Sequence, residues 1–505
     1  MARHYHDRTA HSSWSVRQGG HYLDWDVKPF LYKVYPDLPV IQLPRELPSL
    51  AGDALEALSG APGALGDLTL EALAALLFFS AGITRKKTYP GGEEMHFRAA
   101  PSTGALYQTE VYVLAGAVRD LAAGVYHFCP GDFSLRRLRG GDFRQEAAQA
   151  AADPAIAGAP ATVIVTAIYW RNTWKYQARG YRHLFWDSGT MLANLLATAA
   201  ALSLPARLVT GFVDSRINHL VGLDPDKEAS LELVPVGVEG APASPAPSVE
   251  PIAPRIIPLS SSEQDYPLLR ELHAASSLVD PDEVSQWRFA TPLPGRGMPS
   301  GLLHLPGPRT RAGRDLSETI LRRASTRQFA HVPISGEELS SVLFHATRGV
   351  AADFPSGLVD LYLIVNAVDG LPSGAYCYWP QAHGLELLKE GEFRGQAGYL
   401  CLEQALGFDA SSVIFFLADL PSILPRYGNR GYRLANLEAG LIGGRSYLGA
   451  YAQGFGASGL TFYDSEVVSF FSPHAEGKDA LFVTVLGRSV KGVPGTTVPI
   501  QISKS

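Results

Sequence analysis

Apolar runs separated by turn residues occur twice along the chain, in the same order. In the first set, Glu71 to Phe79 is almost wholly apolar after one acidic residue and predicts a helix. Glu110–Ala115 and Gly124–Phe128 predict strands. Ala161–Ile168 is an unbroken, β-branched run, the mark of a strand buried on both faces. Asp187 to Leu204 is apolar around most of a helical circumference, which predicts a helix buried on nearly all sides. Leu231–Gly237 closes the set as a strand. The second set runs helix Glu337–His345, strands Asp360–Asn366, Gly374–Tyr378 and Ser412–Ala418, helix Leu437–Gln453 and strand Leu481–Leu486. Between them lies Gly240-Ala-Pro-Ala-Ser-Pro-Ala-Pro-Ser, where proline blocks both helix and ladder bonding. The pattern predicts an α+β protein of two domains, 1–240 and 261–505, joined by a linker over 241–260. Residues 1–45 are aromatic and His-rich and show no clear period.

The duplication is also visible in letters. Lys175-Tyr-Gln-Ala-Arg-Gly-Tyr-Arg182 and Arg426-Tyr-Gly-Asn-Arg-Gly-Tyr-Arg433 agree at five of eight positions. At the same offset Asp187 meets Glu438 and Gly189 meets Gly440. With a slip of one residue, Asp214-Ser215 meets Asp464-Ser465, Gly237 meets Gly487 and Tyr126 meets Tyr376. A period this long is a duplicated domain and not a solenoid.

Composition narrows the function classes. A net charge of −6 with mixed signs gives no basic footprint for nucleic acid. The longest apolar stretches are too short or too interrupted to span a bilayer. Three scattered cysteines show no metal spacing and no disulfide framework, and Met1-Ala-Arg-His-Tyr-His-Asp-Arg has no apolar signal core, so the expected setting is cytoplasmic. His6, His11 and His21 fit no metal-site spacing, and no metal is expected. Gly440-Leu-Ile-Gly-Gly-Arg falls inside a helix and predicts close helix packing. No Gly-x-Gly-x-x-Gly follows a strand.

Three motifs carry candidate chemistry. In Leu321-Arg-Arg-Ala-Ser-Thr-Arg-Gln-Phe329, the groups of Arg322, Arg323, Ser325 and Arg327 can converge on one phosphate. The same letters also fit a solvated basic helix end. In Pro101-Ser-Thr-Gly-Ala-Leu-Tyr107, small residues let backbone approach a flat ring, although a plain turn before a strand reads similarly. In Trp174-Lys-Tyr-Gln-Ala-Arg-Gly-Tyr-Arg182, a lysine beside a tyrosine with arginines nearby can have a lowered pKa and act as a base. The bland alternative is a surface stretch packed by cation–π contacts.

Together the three motifs resemble those of the nitroreductase superfamily, in particular its SagB/ThcOx branch of FMN-dependent azoline dehydrogenases. The resemblance implies two nitroreductase-like domains forming an intramolecular pseudo-dimer around central helices, with flavin at their interface. It implies FMN contacts from Arg322, Arg323, Ser325, Arg327, Arg488 and Lys491 in the second half, and from Pro101, Ser102, Thr103, Gly104 and Leu106 in the first. Lys175 is then the expected base, with Tyr176 orienting it or sharing the proton. Arg179, Tyr181 and Arg182 are expected at the substrate, a modified peptide or small molecule. Other peptide-modifying enzymes are expected partners, and dioxygen is a candidate electron acceptor.

The halves differ in a complementary way. The second ends its last strand Gly487-Arg488-Ser-Val-Lys491; the first ends Gly237-Val-Glu-Gly, and its counterpart of the arginine motif, sought at Arg8-Thr-Ala-His-Ser, is not a clean match. The first has the full Pro101–Tyr107 segment; the second has only Phe354-Pro-Ser-Gly357 and is about 16 residues shorter there. Lys175 is matched by Arg426, which stays protonated and cannot serve as a base. One complete site can therefore be assembled across the interface. An NAD(P)H-dependent nitro- or quinone-type reductase and a flavin-poor scaffold subunit remain open alternatives.

Overall fold

In the computed structural model, residues 1–50, 52–60, 66–88, 92, 94–240, 243, 245–290, 292–295 and 297–490 are described. Lys491 lies outside them. Each half is built on one antiparallel sheet. The first runs, in spatial order, Val40–Gln42, Ser134–Gly140, Gly124–Cys129, Thr109–Ala115, Ala161–Ile168 and Glu228–Val236. The second runs Gly456–Gly459, Asp479–Gly487, Ser412–Ala418, Val359–Val365, Gly374–Trp379, Gly384–Glu390 and Leu303–His304. The runs Ala161–Ile168 and Ser412–Ala418 are buried at every residue, as interior strands flanked on both sides must be.

Helices form where the apolar runs also carry caps. Thr69 accepts a hydrogen bond from the Ala72 amide at the start of helix Leu70–Ala81. Ser335 and Glu338 form a capping box on helix Gly336–Thr347. The two long helices start earlier than their apolar runs suggest, at Gly180 and Arg430, and extend to Ala201 and Ala452. Both repeated motifs therefore reach into these helices, with Arg182 and Arg433 in their first turns.

The two long helices pack against each other at the centre of the molecule. Their backbones touch. A Cβ built on Gly189 would lie 2.6 Å from the Leu441 nitrogen, and one on Gly440 would lie 2.6 Å from the Trp186 carbonyl oxygen. No residue but glycine fits at either position. The pairing of Gly189 with Gly440 in the sequence repeat is thus a contact in space, on the pseudo-two-fold between the halves.

Two buried ionic clamps flank that contact, and each crosses between halves. Arg179 and Arg182 of the first half reach Asp464 of the second at 3.0 and 2.5 Å. Arg430 and Arg433 of the second reach Asp214 of the first, both at 2.7 Å. Burial alone would raise the Asp214 carboxyl, but the two arginines hold it down at about 2. A terminal helix completes each clamp. The Arg182 guanidinium donates to the His6 carbonyl in helix Ala2–Thr9, and Arg433 donates to the His273 carbonyl in helix Pro267–Ala275. The His11 amide donates to Asp464 and the Leu278 amide to Asp214, at 2.8 and 3.0 Å.

Arg179, Tyr181 and Arg182, expected at the substrate, are buried in this interface and engaged with other parts of the chain. Tyr181 packs edge-on against Tyr5 and Phe185, and its hydroxyl shares hydrogen bonds with His273 and Ser276. The segment around Arg8 is likewise the end of a clamp helix and no counterpart of the arginine motif. That counterpart follows helix Ala54–Leu58, whose preceding Asp53 pairs with Asp315 ahead of helix Leu316–Arg322. Among the described residues there, Ser59-Gly60 carries no cation. Nor is any helix among the described residues long and apolar enough to cross a membrane.

Two predictions follow from the interface. Asp464→Asn leaves Arg179 and Arg182 buried without a counter-charge, and is expected to lower stability by about 3–5 kcal/mol in denaturant titration. Residues 1–245 and 255–505, expressed separately, are expected to aggregate, because each exposes an apolar helix face worth about 25 cal/mol per Å² when covered. Co-expression is expected to restore a soluble pair. A soluble, well-folded single half in gel filtration and circular dichroism would overturn this.

Candidate active site

The Pro101–Tyr107 segment forms a tight loop at the mouth of the interface, and Asp187 holds it. The Asp187 carboxylate accepts hydrogen bonds from the Ser102 hydroxyl (2.6 Å), the Thr103 amide (2.9 Å) and hydroxyl (2.7 Å), and the Gln108 amide (2.7 Å). Burial pushes this carboxyl up to about 6, against the pull of those donors. Thr190, one turn along the same helix, donates to the Pro101 carbonyl at 2.9 Å. The loop is strained: Gly104, Ala105 and Tyr107 have φ of 65°, 54° and 49°. For the two non-glycine residues this left-handed backbone is costly and persists only where surroundings impose it.

Lys175 and Tyr176 end the helix Tyr169–Tyr176 directly over this loop. A Cβ on Gly104 would lie 2.9 Å from the Tyr176 hydroxyl oxygen, so a larger residue at 104 would displace it. Leu106 packs into a cluster with Trp170 and Trp174. The Lys175 ammonium sits 5.4 Å from the Tyr176 ring centroid. Among the described residues neither Nζ nor the Tyr176 hydroxyl has a hydrogen-bond partner. Burial, and then the positive charge of Arg327, lower the Lys175 pKa. Burial, and then the Asp187 carboxylate, raise that of Tyr176. The next residue, Gln177, has φ 52°, where the second half uses Gly428 at 59°. The first half thus tolerates strain beside Lys175 that its copy avoids.

The second half brings its arginine motif to this mouth. Arg327 is exposed, has no hydrogen-bond or ion-pair partner among the described residues, and is the charge that Lys175 and Tyr176 feel. The Ser325 hydroxyl lies 3.2 Å from that of Tyr447. Arg323 bridges the halves instead: it is buried and donates to the Ala99 and Arg98 carbonyls at 2.9 and 3.0 Å. Arg322 pairs with Glu318 on its own helix at 2.9 Å. Arg488 donates to both oxygens of Glu338 at 2.9 and 2.7 Å, so any anion there shares it with that carboxylate.

The mirrored place is built differently. Glu438 pins the Gly357, Leu358 and Val359 amides, as Asp187 pins the first loop. But Leu208 pairs with Ala352, and Asp353 accepts hydrogen bonds from the Thr210 and Gly211 amides, each at 2.8 Å. The Trp287 ring covers Gly211, where a Cβ would lie 2.8 Å from it. Backbone pairing, a carboxylate and an indole thus fill this mouth. At the first mouth no such bridge joins Gly456–Gly459 to Arg98–Ala100 among the described residues; the Arg323 side chain spans the gap.

Sequence reasoning singled out Asp187 without giving it a role, and missed Gln108 and Asp353. The signal for Asp187 was present, since a carboxylate recurs at the repeat offset, in Glu438. Asp353 has no such partner in the repeat and could only be found in space.

A profile of the nitroreductase family matches residues 67–238 and 320–486, more than half of the chain. A Methanocaldococcus jannaschii protein described as a nitroreductase is 34% identical over 171 residues, covering 34% of this chain and 81% of that protein. The microcin B17-processing protein McbC of Escherichia coli is 30% identical over 151 residues, covering 26% of this chain and 52% of McbC. Among solved structures, one from Anabaena variabilis, described as a nitroreductase, superposes with a TM-score of 0.77 at 27% identity. It covers 97% of this chain and 99% of its own, so the tandem arrangement is common to both.

Because Asp353 and Trp287 fill the mirrored mouth, the chain is expected to take up one flavin. Titration of purified protein with FMN should saturate at one per chain; a value of two would refute the asymmetry. Arg327→Ala is expected to weaken FMN binding by about 1.5–3 kcal/mol, the worth of a charge-assisted contact.

Proposed function

The chain belongs to the nitroreductase family of oxidoreductases, and from that premise we propose that it is an FMN-dependent dehydrogenase acting on an azoline-type ring, or a similar C–N or C–C bond, in a modified peptide. The observation that carries the proposal is the meeting of Lys175 and Tyr176 with Arg327 from the other half, over a pinned and strained loop. The likeness to McbC supports a peptide substrate and peptide-modifying partners, and the chain spans about half of McbC's length.

The residues fit FMN. The Ser102 and Thr103 side chains are turned to Asp187, which leaves the backbone of the Pro101–Leu106 loop to meet a flat ring. Arg327, with Ser325, is the available anchor for the phosphate, and Arg323 spans the gap between the halves. When bound, FMN supplies the hydride acceptor, and an external electron acceptor then restores it. The protein handles the proton. Lys175, with its pKa lowered, presents a neutral amine in a larger fraction of molecules and accepts a proton from the ring carbon. The Tyr176 hydroxyl, its pKa raised, stays protonated and orients the substrate or the amine. Burial disfavours the charged lysine, and in the flavin-free protein the Arg327 charge adds to this. Arg426, at the mirrored position, donates to the Ser422 carbonyl and remains a cation.

Lys175→Ala is expected to keep the yellow colour and lose turnover of a thiazoline-bearing peptide by about 10²–10⁴-fold. Arg426→Ala is expected to change turnover far less. Unchanged turnover in the Lys175 variant would refute the assignment, and anaerobic bleaching of the flavin by NAD(P)H alone would point to a reductase instead.

A further inference from the structure

Behind Tyr176 lies a buried polar corner that the reading above does not use. His183, on the long helix Gly180–Ala201, meets the Tyr176 ring edge-on, with centroids 4.5 Å apart and planes at 80°. Its Nδ1 lies 2.8 Å from Oδ1 of Asn172, one helical turn before Tyr176. With that oxygen as acceptor, Nδ1 carries the proton. Trp186 backs the imidazole at 4.6 Å and donates through Nε1 to Asn436 of the second half at 2.8 Å. Gly180 makes the corner possible, since a Cβ there would lie 2.9 Å from the same Asn172 oxygen. Burial, then Arg179 and Arg182, hold the His183 pKa well below its ordinary value, so the ring is neutral.

The corner is costly. His183 and Asn172 are wholly buried, and His183 Nε2 and Asn172 Nδ2 have no partner. Buried polar atoms without partners are rare and destabilising. The duplicated fold shows that the cost is not structural. At the same places the second half has Ile423 and Leu434, both buried, beneath Tyr427. Two apolar residues build the same backbone corner there, and the lysine is absent.

We propose that His183, held by Asn172, is a positioning residue that fixes the Tyr176 ring over Gly104 and so keeps the Tyr176 hydroxyl and the adjoining Lys175 turned to the reacting carbon. The inference rests on the dehydrogenase reading for its chemistry, but not for its geometry. A neutral imidazole set edge-on restrains the phenol ring without a hydrogen bond to its hydroxyl. That leaves the hydroxyl free for substrate. An aliphatic residue fills the space but gives no directional contact.

The test installs the second half's residues. His183→Leu and Asn172→Ile are made singly and together in the full chain. In the flavin-free protein, hydrogen exchange of the 174–180 amides is expected to quicken in both single variants while the unfolding midpoint is held. In FMN-loaded protein, flavin content is expected to be unchanged. On a thiazoline-bearing peptide, kcat is expected to fall about 10²-fold, the cost of a small misplacement, with KM little changed. The double variant should be no worse than either single one, because the pair acts as a unit. Unchanged exchange at 174–180, or exchange raised throughout with a lowered midpoint, would overturn the proposal. Lys175→Ala is run alongside: if it is fully active, the dehydrogenase reading fails, and the exchange data still decide whether His183 positions Tyr176.

Discussion

The structure depends on a contact between two glycines. At Gly189 and Gly440 the central helices come so close that each glycine's missing side chain is occupied by the other helix's backbone. This approach fixes the pseudo-two-fold. It sets Asp187 two residues from the crossing, where it holds the Pro101–Tyr107 loop, and brings the Arg323–Arg327 stretch of the second half to the same mouth. A Cβ at either position would push the helices apart, and the Arg323 bridge to Arg98 and Ala99 could not close. A site assembled from two halves cannot be more exact than the joint between them.

Around this joint the two copies have kept what the fold needs and divided the rest. Retained in both are the Arg-x-x-Arg pair, the aspartate it clamps, the terminal helix behind it and a carboxylate pinning a loop. These are the terms of packing and charge balance. What differs lies at the mouths. One carries a lysine, a strained turn, a polar corner and an exposed arginine. The other carries an arginine bonded to its own helix, a glycine, an aliphatic corner and a plug of Asp353 and Trp287. Comparison within the chain therefore separates the residues common to both copies from those that set the two mouths apart.

The sheets and both central helices were legible because burial imposes a plain periodicity. Ala161–Ile168 and Ser412–Ala418 coincide with observed strands to the residue. The long helices were read short because their first turns carry glycine, tyrosine and arginine and not an apolar run. Those residues are buried by ion pairs that cross between halves, which no local pattern reveals. The same effect hid the interface contacts of Arg179, Tyr181 and Arg182. Their repetition as Arg430, Tyr432 and Arg433 was the clue to a shared structural task. The hairpin Ile83–Thr88 and Glu94–Arg98 was visible only as extra length, since its strands are half exposed and basic.

The crossed clamps also bear on how the molecule is made. Arg182 finds Asp464 only 282 residues further along, and Asp214 finds Arg430 and Arg433 only 216 and 219 residues on. A chain emerging from the ribosome therefore completes its first sheet long before those charges can be balanced. The leading half must wait with two arginines and one aspartate at an unfinished, apolar surface, for most of the time that synthesis of the second half takes. Division of the mouth between the halves has thus tied its completion to the second half, so that a truncated product holds Lys175 and Tyr176 with no Arg327 beside them.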